Sequence, residues 1–295
     1  MSSLNLPLAS AGSPSSRGRR SAGRFAGNAA RALVLTIAAI VSVFPAVYMV
    51  GVSLEDNAQF FNAIVFPWPW HLANYPDAWV RTSIGTLYFN SVFITTTSVI
   101  LTLAISALAG YAFGRLSFVG GGTTYNVFLL GLAIPVTIAL IPLFFNLKVL
   151  HILNTPWALI GPYTGFGLAF ATFILKGFFQ TLPKELEEAA RVDGAGEFTI
   201  FFQIMLPLTR PALATVAIFL FLQNWNEFLF ALTFITDESR RTLPTGIFAL
   251  LSSEFYGNYP ALCAALTIFS APVLILYLVF QSQFIAGLTA GAVKQ

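Results

Sequence analysis

Residues 185–208 read ELEEAARVDGAGEFTIFFQIMLPL and hold five of the chain's 12 acidic residues. The surroundings make that concentration unusual. The chain has 295 residues, 57% of them hydrophobic and 15% aromatic, and only 9% are charged. Soluble domains carry about 25% charged residues, so the composition belongs to a bilayer protein. An acidic run in such a chain has to lie outside the hydrocarbon.

The run has a local logic. Leu182, Leu186, Ala189 and Ala190 fall at i, i+4, i+7 and i+8, a stripe along one helical face. Pro183 comes early, where a helix tolerates it, and Glu185, Glu187 and Glu188 suit the positive end of the helix dipole. Glu187 and Arg191 are spaced as an i,i+4 ion pair. The alanines bury little themselves but let another surface come close. Gly194 and Gly196 then mark a bend, and a second apolar stretch runs from Phe198 to Leu206 before Pro207. The expectation is helix, glycine bend, helix. On these residues alone, an amphipathic connector resting on lipid headgroups fits as well as a docking element does.

Working outward, a helix needs about 20 apolar residues to cross the hydrocarbon. Six stretches meet or approach that length: 32–53, 88–112, 124–147, 157–180, 211–233 and 261–285. The expected fold class is an all-α integral membrane protein of six transmembrane helices, with the acidic run in a loop at 181–210 between the fourth and fifth. Pro45, Pro135 and Pro142 predict bends. Gly161 and Gly165 form a GxxxG spacing that permits close helix approach.

Basic residues set the expected direction. Eleven Lys and Arg fall on the side shared by the N-terminal tail, the acidic loop and the C-terminus, against four on the other side. The positive-inside rule then puts both termini and the acidic loop in the cytoplasm. The Ser-, Gly- and Arg-rich tail, residues 1–31, reads as disordered, and residues 32–295 as one transmembrane domain. The first apolar run is longer than a signal-peptide core, so it reads as an uncleaved span. Two outer loops stand out: 54–87, with FPWPW, and 234–260, with DESRR. Either fits interfacial anchoring or contact with a soluble partner.

Other chemistries find little purchase. The net charge of +3 is too small to suggest nucleic acid, and one cysteine, Cys263, permits no internal disulfide. His71 and His151 are far apart without neighbouring ligands, so no metal site and no catalytic residue is expected. There is no GxxxxGK[ST], HExxH or GxSxG, so any ATP hydrolysis must occur on another polypeptide. Glu227 is the one acid inside an expected span, beside Asn224, Trp225 and Asn226. Intramembrane carboxylates usually face a cavity or a partner, which makes Asn224, Asn226 and Glu227 the candidate translocation path. An ion-coupled secondary transporter using Glu227 is the alternative from another class. An intramembrane enzyme would need a nucleophile and base that this group lacks.

One spacing discriminates between these readings. Glu188-Ala189-Ala190, three residues, Gly194, nine residues, Ile204, one residue, Leu206-Pro207 resembles the EAA loop of ATP-binding cassette (ABC) importer permeases, EAA–x3–G–x9–I–x–LP, at every specified position. PAVYMVGVSL, YFNSVFIT, GYAFGRLSF, NWNEFLFAL and FIAGLTAGAVK extend the resemblance to the sugar-uptake, maltose-transporter branch, and to its six-span subunit. The resemblance implies a type I importer permease fold in a bacterial or archaeal cytoplasmic (inner) membrane. It implies that the loop docks on an ATPase, with Glu188 pairing a basic group there. Ala189 and Ala190 would allow close packing, and Gly194, after Asp193, would set the bend. Implied partners are membrane lipid, a second homologous permease subunit, two ATP-binding cassette ATPases and an extracytoplasmic sugar-binding protein. ATP and Mg would bind the ATPases, and no cofactor this chain.

Overall fold

The computed structural model describes residues 16–61, 68–81, 83–251 and 257–292. Part of the N-terminal tail, Phe66 and Pro67 of FPWPW, the SSEFY of the second outer loop, and Lys294 lie outside them. All regular structure among the described residues is helical. The main elements are α1 (Ser16–Ser53), α2 (Asn74–Arg81), α3 (Ile84–Arg115), α4 (Gly121–Leu129), α5 (Val136–Val149) and α6 (Trp157–Thr181). There follow α7 (Glu185–Val192), α8 (Glu197–Leu208), α9 (Arg210–Trp225), α10 (Leu229–Phe234), α11 (Leu243–Leu251) and α12 (Tyr259–Ala292).

Four helices, α1, α3, α6 and α12, are long and apolar enough to cross a bilayer; two bent pairs would bring the total to six. The third expected span is not straight. A turn of 3-10 helix at Leu130–Ala133 ends α4, Ile134 and Pro135 are extended, and α5 leaves at 98°. Pro135 has no N–H to give and bars its predecessor from the helical region, which fixes where the chain turns. Pro45, by contrast, lies within an unbroken α1. That helix begins at Ser16, inside the stretch expected to be disordered. Ala and Arg are strong helix formers, and no proline follows Pro14 there.

Helices α3 and α6 form the centre of the bundle, packed nearly backbone to backbone. A Cβ placed on Gly110 would stand 3.0 Å from the Lys176 backbone nitrogen, and one on Gly167 would stand 3.1 Å from the Thr102 side chain of α3. The expected GxxxG pair is different: nothing among the described residues lies within 4 Å of a Cβ on Gly161 or Gly165. Small residues at the right spacing permit close approach without selecting which face is used.

Two apolar clusters fill the ends of this pair. One joins Tyr111, Leu175 and Phe179 to Ala190, Ile200, Phe201 and Met205, so it carries α7 and α8. The other joins Ile94, Leu147, Leu159 and Tyr163 to Phe230 and Phe234 of α10. Helix α1 packs along α12 and is buried at its end, at Val52 and Ser53, while its apolar side chains from Leu33 to Phe44 are exposed.

Candidate functional site

The acidic run folds as two helices about a glycine cap. In α7 the first turn holds Glu185, Glu187 and Glu188 and the last holds Arg191, matching the helix dipole at both ends. Gly194 adopts φ +83°, its N–H donates to the Arg191 carbonyl, and the Ala195 N–H donates back to the Ala190 carbonyl. That pair of bonds satisfies two carbonyls at the helix end and needs a left-handed residue between them. Beyond it, α8 passes through a π-helical stretch, Ile200–Met205, and meets α9 at 72°.

The two faces of α7 differ in chemistry. Outward stand Glu188, Ala189 and Asp193, with Leu186 39% and Val192 87% exposed. Inward stand Ala190, in the apolar cluster, and Glu187, only 4% exposed. Ile204, Leu206 and Pro207 are half-buried in and beyond the π-helical stretch. So the residues of the EAA pattern divide: Glu188 and Ala189 face out, while Ala190 packs against the chain's own core.

The expected Glu187–Arg191 pair does not form. Arg191 instead reaches across the bend to Glu197, with both Nε and Nη2 donating to Oε1 at 3.0 and 2.9 Å, and the Tyr111 hydroxyl donates to Glu197 Oε2 at 3.1 Å. Glu197 thereby raises the Arg191 pKa further and keeps it charged. Glu187 turns inward to Arg115, whose Nε donates to Oε1 at 2.7 Å, with the two side chains 3% and 6% exposed. The same guanidinium donates from Nη1 to the carbonyls of Leu182 (3.0 Å) and Phe179 (3.4 Å) and from Nη2 to that of Pro183 (3.3 Å). A buried carboxylate and guanidinium need such complete bonding to offset desolvation. In the sequence Arg115 registers only as a positive charge ending a span. A second signal was available, since a basic residue in the last turn of a helix suits its carbonyl end.

The second candidate region lies where the fifth expected span breaks. Helix α9 stops at Trp225, and α10 starts at Leu229. Glu227 spans the gap: its Oε1 accepts the Phe230 N–H at 2.7 Å and its Oε2 accepts the Ala231 N–H at 3.1 Å. The Tyr163 hydroxyl on α6 donates to Oε2 at 2.7 Å. The Glu227 carboxylate therefore caps a helix and ties it to its neighbour. Exposed Asn226 turns back, Nδ2 donating to the Leu222 carbonyl at 2.7 Å. Asn224 is 7% exposed and Trp225 1%, yet Asn224 Nδ2 and Trp225 Nε1 find no partner among the described residues. The Trp225 ring lies flat against Phe221 and Phe269 at 5.4 and 6.0 Å. No group of His, Cys, Asp and Glu suited to a metal ion occurs among the described residues.

These features define a class: a helical membrane protein with a buttressed surface helix at one end of its bundle and a broken span within it. A family model described as "Binding-protein-dependent transport system inner membrane component" matches residues 106–289. The chain is 36% identical over 263 residues to the diacetylchitobiose uptake system permease protein of Streptomyces coelicolor, covering 88% of this chain and 87% of that one. It is 37% identical over 265 residues to the trehalose/maltose transport system permease protein of Thermococcus litoralis, covering 87% and 93%. A bacterial ABC transporter involved in import of the acidic polysaccharide alginate has a chain of similar fold, with TM-score 0.79, 22% identity and coverage of 95% and 100%. The chain belongs to the family of binding-protein-dependent transport system inner membrane components. The resemblance carried by the EAA spacing is thus borne out.

Proposed function

We propose that this chain is one permease subunit of an ABC importer that carries a sugar, mono- or oligosaccharide, into the cytoplasm. The observation that carries this reading is α7. It is a short helix held rigidly from behind by Arg115 and capped by Gly194, and it offers Leu186, Glu188, Ala189 and Val192 to a partner. Relatives named for diacetylchitobiose and for trehalose and maltose supply the substrate class. In this reading each bent pair counts as one span, giving six, and both termini lie in the cytoplasm.

The docked partner is an ATPase subunit, present twice, which binds ATP and Mg and performs the hydrolysis. Glu188 meets a basic group on it, Ala189 lets the surfaces close, and Ala190, Asp193 and Gly194 hold the shape of the turn. Ile204, Leu206 and Pro207 carry the motion into α9. A second, homologous permease subunit completes the path, and an extracytoplasmic binding protein delivers the sugar. Of the three residues proposed for the path, Asn224 has the free donor, since Glu227 and Asn226 already have partners. Buried unpaired donors cost about 1–3 kcal/mol each, and a sugar hydroxyl or the second permease would relieve that cost. The bonds already held by Glu227 leave it poorly placed for ion coupling.

The test is co-purification with native neighbours in mild detergent. Two ATPase copies per permease pair, with hydrolysis stimulated by sugar-loaded binding protein, are expected. Glu188→Ala should abolish most uptake while membrane insertion persists. A chain that purifies alone and transports on an ion gradient would overturn the reading.

A further inference from the structure

The contact between α7 and the bundle joins residues 72 positions apart, and its geometry says more than that the helix is anchored. Arg115 ends α3, and its guanidinium holds four oxygens on two other elements. Three are the carbonyls of Phe179, Leu182 and Pro183, where α6 ends and the chain turns toward α7; the fourth is Glu187 Oε1 on α7 itself. The covalent link from α6 to α7 is only Leu182, Pro183 and Lys184. Without the guanidinium, α7 would be tethered there only by this three-residue link, extended at Leu182 and able to swing. With it, three elements meet at one planar group with fixed donor directions.

The surroundings favour transmission over mere attachment. Immediately before Arg115, Gly114 lets α3 approach α6 closely: a Cβ there would stand 3.3 Å from the Lys176 carbonyl. Displacement of α7 is therefore delivered to α3 and α6 together. On the other side α7 runs on through the glycine cap to α8, whose link is the more exposed pair Arg191–Glu197, 43% and 46% accessible. Exposed pairs are screened and weak, and excluded-water pairs are not. The buried joint is the stiffer of the two.

We propose that Arg115 and Glu187 are positioning residues for energy coupling: their ion pair carries movement of the docking helix α7 into the α3–α6 pair, and without it ATP hydrolysis runs without a matching yield of imported sugar. This rests on the importer reading above. Neither side chain is open enough to touch an ATPase directly, so the effect passes through the joint.

The experiment uses the whole complex reconstituted in liposomes, measuring ATP hydrolysed per sugar imported. A wild-type complex showing no ATP-dependent uptake would sink the importer reading itself, before the joint is tested. Given a working complex, Glu187→Ala cuts only the link to α7, leaving Arg115 on the three carbonyls and α7 with a strong helix former. The ratio is expected to rise about fivefold or more, within the range spanned by coupling between sites. A second variant combines Arg115→Cys and Glu187→Cys in a Cys263→Ala background. Before bridging it should be uncoupled, and a short bifunctional thiol reagent applied in the membrane should restore the wild-type ratio. A simple loss of fold would not be rescued so. A wild-type ratio in Glu187→Ala, or no recovery on bridging, overturns the proposal. If Glu187→Ala fails to assemble, the bridged pair decides alone.

Discussion

Glu187 and Glu227 are both carboxylates drawn into this bundle, and they are held in opposite ways. Glu187 meets a full positive charge from another helix, in a pocket closed to solvent. Glu227 meets no charge: two backbone N–H groups and one phenol hydroxyl fill its oxygens. The first arrangement ties two separately built elements, α3 and α7, and depends on both ions. The second completes a helix end broken by its own sequence and adds one strap to α6. A third carboxylate, Glu55 just past α1, marks the opposite extreme. It is 2% exposed, and no hydrogen bond to its side chain occurs among the described residues. Burial, and secondarily Asp56, raise its pKa above the ordinary value. The series teaches that burial alone does not say what a carboxylate does; the charge of its partner does.

The contrast between these carboxylates is most vulnerable at Arg115. Arg115→Met strands Glu187 in a closed site and should lower stability by about 3–5 kcal/mol, read from denaturation in mixed micelles. A loss under about 1 kcal/mol would mean that α7 relaxes and lets water in. Next, Glu227→Gln keeps the shape but exchanges an acceptor for a donor facing N–H groups. About 1–3 kcal/mol should be lost. If the loss equals that of Arg115→Met, the two carboxylates are not different in kind.

Gly194→Ala tests the bend between the two regions, and forcing a Cβ into φ +83° should cost about 1–2 kcal/mol. Docking of the ATPase should weaken in parallel, measured as loss of co-purified subunit. The smallest effect belongs to Glu55→Gln. A carboxyl whose folded pKa lies above its unfolded one contributes fully at low pH and loses that contribution as pH rises through the folded value. The glutamine variant should therefore match wild type below pH 4.5 and become relatively more stable as pH rises, followed as melting temperature against pH.

What the sequence made legible follows the range of the physics involved. Gly194 could be read because a left-handed helix end is a local demand that glycine meets. The spans could be read because hydropathy integrates over one contiguous window. Pro135 announced a bend, but a proline does not state an angle, and the 98° turn is visible only in the folded chain. Arg115 and Glu187 lie 72 positions apart, while Arg191 offers Glu187 a partner at ideal helical spacing. The nearer candidate looks better until burial is known, because Glu187 faces inward and Arg191 outward. Likewise Gly161–Gly165 and Gly110 are equally small, and only the packed bundle shows which approach a neighbour. Tyr163 carried no signal toward Glu227, since a tyrosine in an aromatic-rich span is ordinary until the helix beside it breaks.

The π-helical stretch at Ile200–Met205 bears on the length of the EAA pattern itself. A π turn holds one residue more than an α turn. Deleting a single residue there would let α8 close into regular helix with its flanks still nearly in phase, because the wider turn has already absorbed the extra residue. The same deletion within regular helix, as in α9, would instead turn everything before it by about 100° and swing Arg191 and Glu197 off the Tyr111 side of the bundle. The π turn is thus a phase buffer: it takes up one residue more than regular helix would while α7 keeps the direction in which it faces.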